Sequence, residues 1–86
     1  MIEKNVVVTA PLGLHARPVA VLANLVKSFE GSTKMIMGEK TADLKSVLNV
    51  MALQVKNGNE VTVRVEGSDE EEMCNKIVGF IENLKE

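Results

Sequence analysis

The sequence predicts an α+β open-faced β-sandwich: a four-stranded, mostly antiparallel sheet covered on one face by three helices, in the order β-α-β-β-α-β-α. Three observations carry this expectation. Segments rich in β-branched residues alternate along the chain with segments whose apolar residues recur every three or four positions. Each helical segment is apolar on one side only, as a helix covering a sheet must be. The segment EVTVRVEG, residues 60–67, sets Val61, Val63 and Val65 against Thr62 and Arg64, the period of two of a strand with one wet face.

The first strand is expected over Asn5–Thr9, where NVVVT is β-branched and stops at Pro11 and Gly13. From Ala16 to Lys27 the residues Ala16, Val19, Ala20, Ala23 and Val26 follow helical spacing, and Gly31 and Ser32 close that segment. TKMIM and EKTADL flank Gly38 and form a hairpin. Ser46 precedes Val47, Leu48, Met51 and Val55, which have helical spacing, so its hydroxyl is placed to cap a short second helix. Asn57–Asn59 turns the chain into the alternating strand. Ser68 and Glu71 then form an S-x-x-E capping box ahead of Met73, Ile77, Phe80, Ile81 and Leu84, the apolar stripe of the last helix.

Eighty-six residues suffice for one hydrophobic core, so a single domain over residues 1–86 is expected. The lone Cys74 has no partner for an internal disulfide and is expected to be a small buried hydrophobe. No stretch approaches the roughly 20 apolar residues of a membrane span, and MIEKNVVV lacks a cationic, apolar signal, which makes the cytoplasm the expected location. A net charge of −2 and 2% aromatic residues leave neither a basic field for phosphate backbones nor rings for base stacking, which argues against a nucleic-acid partner.

The densest chemistry lies in LGLHARP, residues 12–18, which holds His15, the only histidine. The first amides of a helix lack intrahelical partners, and the summed dipole places about half a positive charge there, so anions bind well. Pro18 suits a first turn, where its missing N–H would have been an orphan; because proline disfavours helical geometry at Arg17, the helix starts at Ala16 or at Pro18. Either register can turn the amides of Ala16 and Arg17 toward His15. The same positive end opposes an imidazolium by about 0.3–1 kcal/mol at a surface site and so favours the neutral, nucleophilic ring. A phosphoryl group on that ring carries about two negative charges, which the amides and the Arg17 guanidinium then favour. The arrangement suits reversible phosphoryl transfer to nitrogen without a metal or cofactor. From the residues alone, an exposed or capping histidine is the competing account.

GLHARPVAVLANLVKSF resembles the histidine-site motif of the HPr family, the histidine-containing phosphocarriers of the bacterial phosphoenolpyruvate:sugar phosphotransferase system. LKSVLNVMALQVKNGNEVTVRVEG resembles that family's serine-site motif, at the family's usual separation, and the likeness spans essentially the whole chain. It implies a carrier, not an enzyme: His15 takes a phosphoryl group from enzyme I and passes it to enzyme IIA domains, with Arg17 neutralising the group in transit. It also implies that partners dock on the first two helices, with Ala16, Ala20, Val47, Leu48 and Met51 in the docking surface; helical spacing alone equally suits Val47, Leu48 and Met51 as core. Ser46 has two roles under the resemblance: helix cap, and target of an ATP-dependent HPr kinase/phosphorylase whose product engages a catabolite-control transcription factor. A monomer is expected. One departure stands out, because many family members carry a small polar residue where this chain has Leu12.

Overall fold

The computed structural model describes residues 1–85. It contains β1 (Ile2–Val7), α1 (Ala16–Val26), β2 (Gly31–Met37), β3 (Lys40–Asp43), α2 (Val47–Ala52), β4 (Glu60–Gly67) and α3 (Glu70–Glu82), the order that the sequence predicts. The four strands form one sheet in the order β1-β4-β2-β3, and all three pairings are antiparallel.

Alternation decides which face is covered. Val61, Val63 and Val65 of β4, with Val6 of β1 and Met35 of β2, point into a core completed by Val19, Leu22 and Val26 of α1, Val50 of α2, and Cys74, Ile77 and Ile81 of α3. Each fully buried valine, leucine or isoleucine contributes about 1.5–3 kcal/mol over its exposed state. The opposite face is polar and ordered by cross-strand pairs. Arg64 Nε lies 2.5 Å from Glu3 Oε2, and Thr62 Oγ1 donates to Asn5 Oδ1 at 2.8 Å. Both pairs join residues directly opposite in the β1–β4 register.

Several boundaries differ from expectation. β1 begins at Ile2 and ends at Val7, where Asn5–Thr9 was expected, because Ile2 pairs with Val65 and Val7 faces Glu60, the first residue of β4. Beyond it, Val8 bonds instead to the turn: its N–H donates to Asn59 O at 2.9 Å, and its carbonyl accepts from Gly58 N–H at 2.7 Å. Gly31 and Ser32, expected only to end the first helix, open β2 opposite Gly67 and Glu66. A Cβ at Gly31 would stand 2.2 Å from Glu66 O, so glycine is what lets the strands meet there.

The capping box expected of Ser68 and Glu71 does not form. α3 begins one turn residue later, after Asp69 in the left-handed region (φ 58), whose side chain makes no cap bond. The role passes to Glu70, whose Oε1 accepts from Gly67 N–H at 3.1 Å while Oε2 lies 2.6 Å from the Met1 amino group. These two contacts, the amino group first, hold the Glu70 carboxyl below its usual range. Cys74 is buried as expected, with Sγ 3.9 Å from Val63 O, and burial pushes its thiol up.

Candidate functional site

The chain reaches α1 through a bend that only glycine allows. Gly13 has φ 65, and a Cβ there would stand 2.4 Å from the Val55 carbonyl. Its N–H donates to Ala10 O at 2.9 Å, and the next residue, Leu14, donates to Val55 O at 3.0 Å and buries its side chain. The segment before His15 is therefore pinned to the segment that follows α2.

His15 is the N-cap of α1, which fixes the helix start at Ala16. Its backbone is extended (φ −88, ψ −176) and its carbonyl accepts from Val19 N–H at 3.2 Å. Its side chain makes no capping bond, so α1 begins without a side-chain acceptor on its first amides. The ring is half-buried. Nε2 is sealed from solvent with no hydrogen-bond partner among the described residues. Arg17 is exposed on the first turn, and Pro18 is buried beneath it.

The apolar stripe of α1 is rotated from its expected position. Pro18, Val19, Leu22 and Val26 are buried, whereas Ala16 and Ala20, counted in the helical series, are exposed. Alanine explains the slip: its single methyl group fits either side, so the large Leu22 decides which face turns inward. Val21 is also exposed, at 46%, and sequence spacing gave no signal for it beyond its absence from the series.

α2 packs against α1, which brings the two candidate segments together. Ser46 caps α2 as expected, its Oγ accepting from Asn49 N–H at 3.2 Å. Val50 is the buried residue of α2, Val47 and Met51 are half-buried, and Leu48 is 81% exposed. The His15 and Ser46 side chains share no hydrogen bond. Leu12, at 69% exposed, adds a second large apolar side chain to the surface in the loop before His15. Among the described residues, no three or more His, Cys, Asp or Glu side chains cluster as metal ligands do, and no helix is long and apolar enough to cross a membrane.

Residues 2–83 match the family described as PTS-HPr, the PTS HPr component phosphorylation site. This chain belongs to the HPr family. The phosphocarrier protein HPr of Mycoplasma capricolum subsp. capricolum is 38% identical over 77 residues, covering 90% of this chain and 86% of that protein. The HPr-like protein Crh of Halalkalibacterium halodurans is 33% identical over 82 residues, covering 95% of this chain and 98% of that protein. HPr-C-His from Thermoanaerobacter tengcongensis has a similar crystal structure, with a TM-score of 0.90 at 34% identity, covering 95% of this chain and 92% of that one. The family assignment makes this chain a phosphocarrier of the phosphotransferase system and not a catalytic enzyme.

Proposed function

We propose that His15 accepts a phosphoryl group from phosphorylated enzyme I and delivers it to sugar-specific enzyme IIA domains, in the cytoplasm, with the whole chain acting as one domain and as a monomer. The observation that carries this reading is the start of α1: an N-cap histidine whose side chain leaves the helix amides uncapped and whose Nε2 is turned inward.

In the transfer, the Nδ1 lone pair attacks phosphorus as the bond from phosphorus to its carrier atom on enzyme I breaks. The same exchange runs in the other direction when an enzyme IIA domain supplies the nucleophile. Arg17 and the first amides of α1 take up the negative charge of the phosphoryl oxygens, a stabilisation that strengthens when a docked partner excludes water. No cofactor enters these steps. Docking is assigned to exposed Ala16, Ala20 and Leu48 with half-buried Val47 and Met51; adaptable methionine suits a surface that meets several partners.

Ser46 is the regulatory site in this reading, the target of an HPr kinase/phosphorylase, with a catabolite-control transcription factor as the partner of the modified form. A phosphate there adds about two negative charges to the docking surface, which repels partners that arrive with a phosphoryl group. A second reading, a purely regulatory protein acting through Ser46, is favoured by the likeness to Crh and opposed by the presence of His15.

Mass spectrometry after incubation with enzyme I and phosphoenolpyruvate separates the two. The carrier reading expects one acid-labile phosphate, absent from His15→Ala. An unmodified wild-type chain in the presence of competent enzyme I overturns it.

A further inference from the structure

The turn before His15 carries a leucine that the fold holds in solvent. Gly13 N–H donates to Ala10 O at 2.9 Å and closes a turn over residues 10–13. Pro11 takes its second position, where the ring fixes φ, and Leu12 its third. Both feet of the turn are set in the core: Ala10 is fully buried, and Leu14 is buried with its N–H donating to Val55 O at 3.0 Å. Leu12 itself is 69% exposed. Its side chain adds little to the core, and the pinned backbone on either side keeps it outside.

Single apolar side chains scattered over a surface are ordinary. Here they gather near the histidine. Among the described residues, Leu12, Val21 and Leu48 are three of the five large exposed apolar side chains; they belong to the loop before His15, to α1 one turn beyond Arg17, and to α2, which packs on α1. Three residues of chain span at most about 11 Å, so Leu12 lies within that reach of His15. A protein that exchanges a phosphoryl group with His15 centres its contact there, and even a small transient interface of about 600 Å² a side extends about 14 Å from its centre. Leu12 falls inside it.

Resting on the carrier reading above, we infer that Leu12 is an apolar anchor for the phosphoryl donor, received by an apolar socket beside the donor's phosphoryl-bearing residue. The donor is the partner that suits it. In the carrier reading one donor serves several acceptors, and a side chain fixed on a pinned turn is pre-organised for one complementary shape. The flexible Met51 of α2 suits partners that differ in shape. Leu12 thus sets the affinity of docking and leaves the transfer step alone.

Steady-state phosphorylation of the full chain by phosphorylated enzyme I tests this, with Leu12→Ala, Leu12→Asn and Leu12→Met beside wild type. Leu12→Ala and Leu12→Asn are expected to raise KM about tenfold with kcat within about twofold of wild type, because the carbons they remove are those the socket would desolvate. Leu12→Met keeps the apolar bulk and is expected to keep the wild-type KM. Since the side chain is exposed, all three variants are expected to unfold at the wild-type urea concentration. Delivery from the phosphorylated variants to an enzyme IIA domain is expected at the wild-type rate. An unchanged KM in Leu12→Ala overturns the inference, and so does a fall in kcat at constant KM, which would make Leu12 a positioning residue for His15. Slowed delivery to enzyme IIA with normal acceptance overturns it in favour of the acceptor as the occupant. A wild-type chain that competent enzyme I leaves unmodified is the separate failure of the carrier reading, and it takes this inference with it.

Discussion

The starts of α1 and α2 are two answers to one problem. Each helix exposes amides that have no partner within the helix. At α2 the answer is closure: the Ser46 hydroxyl accepts from Asn49 N–H at 3.2 Å and satisfies one of them. At α1 the answer is left open, because His15 holds the N-cap position without capping and its ring nitrogen Nε2 faces inward unpaired. A closed start stabilises the fold; in the proposed carrier role, an open one keeps an anion site ready beside a nucleophile. The cost of leaving the buried ring nitrogen unsatisfied is of the order of 1–3 kcal/mol, and the folded core has to carry it.

Gly13 is where that contrast breaks most readily. Gly13→Ala forces a Cβ toward the Val55 carbonyl at a positive φ and is expected to cost roughly 2 kcal/mol or more in urea unfolding. It is also expected to slow phosphorylation of His15, since the bend places that residue at the helix start; unchanged stability and kinetics would show that the bend is incidental.

Ser46 supplies the next two tests, in descending size. Ser46→Asp places a permanent negative charge beside the docking surface and is expected to slow phosphoryl acceptance from enzyme I by about tenfold, measured by quenched-flow transfer. Wild-type rates would remove charge gating from the account. Ser46→Ala deletes the cap and adds no charge. It is expected to lower stability by about 1 kcal/mol and to leave transfer rates alone, so a slowed transfer would mean that closure at α2 also serves the open site.

Much of the site was legible because its signals are local. Glycine, histidine and proline crowded before an apolar helical run mark an N-terminus whatever the chain packs against, and Ser46 ahead of Val47 marks another. The capping box misled for a reason that is equally physical. Ser68-x-x-Glu71 has the right letters, but the left-handed backbone at Asp69 shifts the helix start to Glu70, and Glu70 then reaches back to Gly67. The α1 stripe misled because alanines count as apolar without demanding burial, so Ala16 and Ala20 fit the series and still face solvent.

The sequence by itself determined the order of the seven elements, the alternation that makes β4 one-sided, the cap at Ser46 and the placing of His15 at the mouth of α1, since each depends on residues within a few positions of one another. Only the tertiary structure decided that β4 runs between β1 and β2, that Leu48 and not Val50 of α2 meets solvent, that Gly13 must be bare because Val55 lies 2.4 Å from where its side chain would stand, and that His15 turns Nε2 inward. Those outcomes rest on contacts between residues far apart in the chain, where shape and packing choose among faces that local periodicity leaves equivalent.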